Sequence, residues 1–346
     1  MKAMRLHRIG PISEHSEGPL RLDEIPMPTP APGEVLIRVL TCGVCHTELD
    51  EIEGRTPPPE LPMILGHQVV GEVVAMPAPA SGLRIGQRVG VAWIASSCGR
   101  CEYCLAGLPN LCPGFKATGR DRAGGYAEYM TAEAAFVYPI PEALSDEAAA
   151  PLLCAGAIGY RSLRLCRLKN GQRLGLTGFG ASGHLVLKMA RFLYPDSDVL
   201  VFARSEVERE HARELGAAWS GPSGAVPPAG VHAIIDTTPV WTPVLDALKL
   251  LLPGGRLVIN AIRKESQDID RWLELSYPDH LWLEKEIKSV ANITPDDVRE
   301  FLDIAARAGI RPEYQVYPLE DANRALKALR AGQIKGAKVL RIAARA

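Results

Sequence analysis

Two styles of hydrophobic patterning divide the chain. In the first, short β-branched runs alternate with glycine and proline, and Val35 to Leu40 (VLIRVL) and Val69 to Ala75 (VVGEVVA) predict strands. Arg84 to Val91 and Gly124 to Tyr138 continue in that manner. Pro26, Pro28, Pro30 and Pro32 bar an early helix, and Gly33 ends this stiff connector. After Pro141 the style changes, and Ser145 with Glu147 opens helical sequence that runs into Leu165. Strand-like Arg173 to Thr177 leads into a glycine-rich turn and an apolar periodic stretch ending at Leu193. Asp198 to Phe202 predicts a second strand and Glu206 to Leu215 a helix. Val231 to Thr237 and Gly255 to Ala261 predict further strands, separated by a helix over Pro243 to Leu252. Strands alternating with helices predict a parallel sheet with right-handed crossovers. Two helical stretches, Asp296 to Ala308 and Leu319 to Ala331, close the chain.

Composition narrows the class without naming a function. The chain has 346 residues, enough for two domains at ~150 residues each. It is 47% apolar and 23% charged, ordinary for a globular protein and too apolar for a disordered one. Lys plus Arg number 39 against 40 Asp plus Glu, a net charge of -1, which gives no electrostatic reason to expect nucleic acid or an anionic membrane. The longest apolar run, Ala148 to Tyr160, is interrupted by Pro151 and falls short of the ~18 residues of a membrane span. Lys2, Arg5, His7 and Arg8 have no apolar block behind them, so no secretory signal and a cytoplasmic protein are expected.

Eight cysteines carry the first chemical signal. Cys98, Cys101, Cys104 and Cys112 lie close together, separated by turn formers that let one loop wrap an ion. Four thiolates at ~2.3 Å suit a closed, structural zinc site, with an iron–sulfur cluster as the rival. Cys42-Gly43-Val44-Cys45-His46 admits three readings. It matches haem c attachment, a thioredoxin-like redox pair, or one cysteine of an open zinc site completed by distant residues.

The turn Gly178-Phe179-Gly180-Ala181-Ser182-Gly183 follows a strand and opens a helix, the context in which GxGxxG binds a dinucleotide. Gly178 permits the tight turn, Gly180 lets a pyrophosphate approach the backbone, and Gly183 lets helix and strand pack closely. The second strand ends Phe202-Ala203-Arg204-Ser205, with no acid until Glu206. Arg204 can pair with a phosphate and Ser205 can donate a hydrogen bond, so NADP(H) is expected over NAD(H), which stays possible.

CGVCHTELD, LPMILGHQVVGEV, CGRCEYCLAGLPNLC, GGYAEY, APLLCAGAIGYRSL, LTGFGASG and the closing KGAKVL occur in this order. Together they resemble the zinc-containing medium-chain alcohol dehydrogenase family over essentially the whole chain. The resemblance implies an α/β protein with a GroES-like β domain and a Rossmann, doubly wound parallel-sheet domain. The GroES-like part is expected over residues 1–153, with a structural-zinc lobe at about 96–113. The Rossmann part is expected over 154–288, and 289–346 return to the first domain.

The resemblance also implies two zinc ions per chain and reversible hydride transfer between a nicotinamide cofactor and alcohols, aldehydes or ketones. By position, Cys45, His67 and Cys154 would hold the catalytic zinc with a fourth place open. Thr47 would relay the substrate proton, His46 would touch the pyrophosphate, and Ile158 would pack on the nicotinamide. Glu48 would orient His67 through its second ring nitrogen. Thr47 has a plainer alternative as a helix cap paired with Asp50. Two departures matter: Gln68 stands where many relatives have Glu, and Asp50 stands where some have the last His of the relay. Asp50 is a weak base, so protons are expected to leave through water instead.

Trp93 falls where relatives place an aromatic wall of the substrate pocket, and Ile52 where some carry a bulky aromatic. Together they suggest medium-chain or aromatic alcohols and aldehydes. The alternatives are a polyol dehydrogenase on the same scaffold and, from another class, a haem c carrier or a zinc-ribbon module. A homo-oligomer, dimer or tetramer, is what the family implies.

Overall fold

The computed structural model describes residues 1–13, 18–77, 82–332 and 336–345. Lys335, the first residue of the KGAKVL motif, lies outside them. The chain divides into two compact units, one of Met1–Cys154 with Asn292–Ala346 and one of Ala155–Ala291.

The first unit is built on a largely antiparallel sheet whose longest strand is Glu34–Val44. This strand pairs with Val69–Ala75, with Tyr129–Glu133 and with the returning strand Ala337–Arg341. Val35, Ile37, Val39 and Leu40 are all inaccessible to solvent, so both faces of the strand are covered. That explains an apolar run where a half-exposed strand would alternate. The strand predicted over Arg84 to Val91 is shorter, Arg88–Val91. The stretch Gly124 to Tyr138 splits into Tyr129–Glu133 and Val137–Pro139 around a single helical turn.

The helix predicted from Ser145 into Leu165 is interrupted. Ser145 caps Asp146–Pro151, a wide π turn spans Leu152–Gly156, and Ala157–Cys166 resumes as α-helix. Such turns insert an extra residue into a helix and recur at functional sites. Here the turn carries Cys154.

The second unit is a six-stranded, wholly parallel sheet. Its strands lie in the order Trp219–Gly221, Val199–Phe202, Leu174–Thr177, Val231–Asp236, Leu251–Ile259 and Glu286–Ser289. Numbered along the chain this is 3-2-1-4-5-6, the doubly wound arrangement in which ligands bind beyond the carboxyl ends of the central strands. Leu174, Val201, Ile234, Ile235 and Leu257 are buried in its core.

Candidate active site and metal centres

The first unit gathers Cys45, His67 and Cys154 from three separate segments. Cys45 is the N-cap of the helix His46–Ile52, immediately after the long strand. His67 precedes the strand Val69–Ala75, and Cys154 hangs from the π turn. Their ligand atoms all lie within 4.8 Å of one another, with Cys45 Sγ 3.6 Å from His67 Nε2. A tetrahedral zinc with sulfur at ~2.3 Å and nitrogen at ~2.0–2.1 Å requires donor separations of ~3.6–3.8 Å. The donor set therefore matches a single ion with one position left for a further ligand.

What surrounds the three donors fixes their orientation. Nδ1 of His67 stands 2.6 Å from Oε1 of Glu48, and neither atom has a further hydrogen-bond partner. Both side chains are buried, and Glu48 also accepts the Cys45 N–H at 2.8 Å. Burial alone would lower the His67 pKa, but the charges of Glu48 and Cys45 outweigh it and hold it well above its ordinary value. The Cys45 thiol is pushed well up, first by its hydrogen bond with Cys154, then by burial and the nearby Glu48. A divalent cation supplies the charge that lets such thiols ionise.

The capping alternative for Thr47 is overturned. The helix is capped by Cys45, whose sulfur accepts the Thr47 N–H at 3.4 Å and whose own N–H is held by Glu48. Thr47 itself is half-buried in the first turn and His46 is exposed beside it. Asp50 is buried and ion-paired with Arg55. Ile52 is fully buried in the hydrophobic core of this unit, packed with residues such as Leu49 and Leu65. That placement corrects its expected place in the substrate pocket.

Glu51 carries no signal in the sequence, where TELDEIE resembles a solvated helix face. It is fully buried with neither carboxylate oxygen hydrogen-bonded. Burial, then the charge of Glu48, raises its pKa well above the usual carboxylate range.

Trp93 stands beside the cluster, its ring 6.3 Å from that of His67 in an edge-on arrangement and 5.6 Å from Phe115. Its indole N–H has no protein partner. Gln68 is buried and its side chain packs over Gly43, where a Cβ would come within 2.1 Å of Oε1. The Cys42 thiol is buried in the core and belongs to neither metal-type cluster, so Cys42 and Cys45 form no redox pair.

Cys98, Cys101, Cys104 and Cys112 form the second cluster, all four sulfurs within 4.8 Å. Cys101 and Cys104 sulfurs are 3.6 Å apart and those of Cys98 and Cys104 4.0 Å, the spacing of one tetrahedral ion. A multi-iron cluster set between these sulfurs would hold them further apart. Backbone N–H groups of Cys98 and Gly114 point at the Cys112 sulfur. N–H groups of Arg100 and Cys101 bring the Cys98 thiol down to about 6.

In the second unit, Gly178 adopts φ +82°, and a Cβ there would stand 2.6 Å from Thr237 Oγ1. A Cβ on Gly183 would come within 2.8 Å of the Gly178 carbonyl, while Gly180 faces open space. Gly180 begins the helix Ala181–Leu193 with no side-chain cap, so this N-terminus keeps N–H groups and a positive dipole end for an anion. Phe179 is buried, its ring 6.0 Å from that of His211, and Ala181 is exposed and Ser182 half-buried at the helix start. Behind the turn, fully buried Asp236 accepts hydrogen bonds from Thr177 and Thr238 and pairs with Lys264, a bracket that sequence reasoning missed.

Arg204 is exposed at the end of the second strand. Ser205 is committed to a capping box, its hydroxyl accepting the Glu208 N–H and donating to the Glu208 carboxylate. That corrects its expected role as a free phosphate donor. Glu206 is clamped by Arg209 and Arg213, whose hydrogen bonds lower its pKa. Ile158 lies half-buried in the helix Ala157–Cys166.

Comparison with known proteins agrees with this geometry. Residues 31–142 match the family model of the alcohol dehydrogenase GroES-like domain. The chain is 44% identical over 347 residues to a probable alcohol dehydrogenase, AdhA, of Mycobacterium tuberculosis, covering 99% of this chain and 97% of that one. A cinnamyl alcohol dehydrogenase of Sorghum bicolor superposes with a TM-score of 0.83 at 26% identity, over 98% of this chain and 97% of that chain. A putative zinc-binding dehydrogenase from Sinorhizobium meliloti, solved with NADP bound, has a TM-score of 0.83 at 26% identity, over 98% of each chain.

Proposed function

The chain belongs to the zinc-type medium-chain alcohol dehydrogenase family and is an NAD(P)-dependent alcohol dehydrogenase and aldehyde reductase, and from that premise we propose how its own residues carry the reaction. Cys45, His67 and Cys154 hold a catalytic zinc, and Cys98, Cys101, Cys104 and Cys112 hold a structural one. The observation that carries this reading is the 3.6 Å approach of Cys45 Sγ to His67 Nε2 with the Cys154 sulfur alongside. When bound, zinc polarises the substrate oxygen and the nicotinamide ring accepts or supplies hydride.

The protein's part is orientation and proton handling. Glu48 keeps the His67 Nδ1 proton and so turns Nε2 toward the ligand position. The Thr47 hydroxyl takes the substrate proton and passes it on. Asp50 is buried and committed to its ion pair with Arg55, so the proton is passed to solvent and not to Asp50. Trp93 closes one side of the substrate space with an apolar, aromatic surface, suited to medium-chain or aromatic alcohols better than to polyols.

Within the second unit, the Gly178–Gly183 turn cradles the pyrophosphate and Ile158 packs against the nicotinamide. Arg204 favours NADP(H) over NAD(H), and Glu206, neutralised by Arg209 and Arg213, does not oppose a 2′-phosphate. The relative solved with NADP supports the same preference.

Among the described residues no helix is long and apolar enough to cross a membrane. All eight cysteines are free of disulfides, which fits a reducing compartment such as the cytoplasm. The edge strand Glu286–Ser289 is exposed along its length, the surface on which a second copy would pack to form a dimer or tetramer.

The test is oxidation of NADPH and NADH against cinnamaldehyde, benzaldehyde, hexanal and a ketose. Faster turnover of the aromatic and medium-chain aldehydes with NADPH is expected. Preference for the ketose would favour the polyol reading, and NADH preference would remove Arg204 from its role.

A further inference from the structure

The glycine turn follows the carboxyl end of Leu174–Thr177, and the opposite edge of the same sheet holds a cavity of about 170 Å³. Cys166, Arg167, Gln172, His232, Arg256 and Glu286 contribute to its wall. Cys166 ends Ala157–Cys166 and Arg167 follows it, Gln172 precedes Leu174–Thr177, His232 and Glu286 lie at the starts of their strands, and Arg256 pairs with Glu286 across the sheet. The strand Leu174–Thr177, spanning ~13 Å at ~3.3 Å per residue, separates this edge from the pyrophosphate turn. The cavity therefore has no part in cradling the coenzyme.

Its chemistry is one-sided. Arg256 is buried to 6% exposure, its Nη1 donating to the Leu165 carbonyl at 2.8 Å and its Nη2 pairing with Glu286. Its Nε–H is buried with no partner. A buried guanidinium donor left unpaired costs free energy, and a native protein retains one where a ligand or water satisfies it. Arg167 adds a second guanidinium, held by a left-handed backbone with φ 53°, a conformation that non-glycine residues rarely adopt.

The neutral side chains also present donors. His232 Nδ1 accepts the Arg173 N–H at 3.1 Å, which places the proton of the neutral ring on Nε2. Burial, then the charge of Arg173, lowers the His232 pKa and keeps the ring neutral. Gln172 uses its carbonyl oxygen to accept the Lys169 N–H, leaving its NH2 as a donor. The one carboxylate, Glu286, is half-exposed and already engaged by Arg256. Two guanidinium charges against one carboxylate leave the cavity net positive and rich in donors.

We propose that this cavity is a binding site for a small oxyanion, a phosphate group or a carboxylate of similar size, held by Arg167 and Arg256 with His232 and Gln172 as neutral donors. The Arg167 guanidinium fork matches such oxygens in geometry as well as charge, while Arg256, whose terminal nitrogens are engaged, contributes its Nε–H. The site is independent of the dehydrogenase assignment, since every residue in it lies in the second unit and away from the glycine turn.

The test is isothermal titration of inorganic phosphate into full-length protein saturated with NADP(H), at ionic strength held constant with chloride. Saturable binding is expected in the wild type, weakened at least tenfold in Arg167→Ala and in Arg256→Gln. Arg167 is exposed, so Arg167→Ala is expected to keep the wild-type melting temperature and decides the question even if Arg256→Gln fails to fold. Competition by sulfate and a phosphate monoester assigns the site to phosphate groups, and competition by acetate or citrate assigns it to carboxylates. Wild-type protein without saturable binding, or Arg167→Ala with unchanged affinity, overturns the proposal.

Discussion

The four-cysteine lobe and the Cys45–His67–Cys154 cluster lie in the same unit and use the same kinds of ligand atom, yet they are assembled on different principles. The lobe takes all its sulfurs from one turn-rich segment, and its members range from exposed Cys98 to buried Cys112. Four donors would close the coordination sphere of one ion, which suits the lobe to bracing the chain. The other cluster draws one donor each from a helix cap, a pre-strand loop and a π turn, with buried Glu48 behind the histidine. Three donors would leave a position open on an ion held there, as proposed for the reaction. The proposed division is local closure for stability against long-range convergence with an open position for reactivity.

Substitutions sharpen that contrast. The largest effect is expected in the open cluster, where Cys154→Ser should lower kcat/KM by at least ~10³-fold through loss of the Lewis acid. Circular dichroism and melting temperature should stay near wild type. A variant that melts early would show this cluster bracing the fold as the lobe does. Thr47→Val should follow, lowering kcat by roughly 10²-fold with KM little changed, and Thr47→Ser should restore most of it. Equal loss in the serine variant would mean that Thr47 contributes packing and not its hydroxyl.

Glu48→Gln comes next, with a loss of roughly 10–100-fold in zinc affinity or activity, read by chelator competition. Unchanged affinity would remove the His67–Glu48 contact from the account of the site. The smallest effect on catalysis is expected in the lobe. Cys98→Ser should depress the melting temperature by roughly 10 °C, since each kcal/mol moves a unit of this size by ~2–4 °C. Its kcat per folded molecule should stay within about twofold. A specific loss of kcat in protein that melts normally would break the distinction.

The two clusters also differ in how far they were legible in sequence. The lobe could be read from spacing because its ligands are local and lie among turn formers. The glycine turn was legible for the same reason, and Gly178 and Gly183 sit where steric crowding permits no Cβ. Spacing alone could not sort the Cys42–Cys45 pair. Only the packed strand shows Cys42 in the core, and only its resemblance to a family pointed to distant His67 and Cys154 as partners of Cys45.

The helix His46–Ile52 shows the limit most clearly. Its acids suggest a solvated face, yet Glu48, Asp50 and Glu51 are all buried, each for a different partner or none. Burial of a charged residue depends on what folds over it, and local propensity carries no trace of that. The strands Trp219–Gly221 and Glu286–Ser289 escaped notice because one is three residues long and the other exposed at every position. The cavity around Arg256 brings together residues from four stretches of chain and has no signature at all in the sequence.

Metal content of the purified protein, measured before and after mild chelation, tests the central claim most directly. Two zinc ions per chain are expected, one leaving readily with complete loss of NADPH oxidation and the other staying with the folded lobe. Full activity in protein from which chelation has removed all zinc would contradict an open metal centre at Cys45, His67 and Cys154.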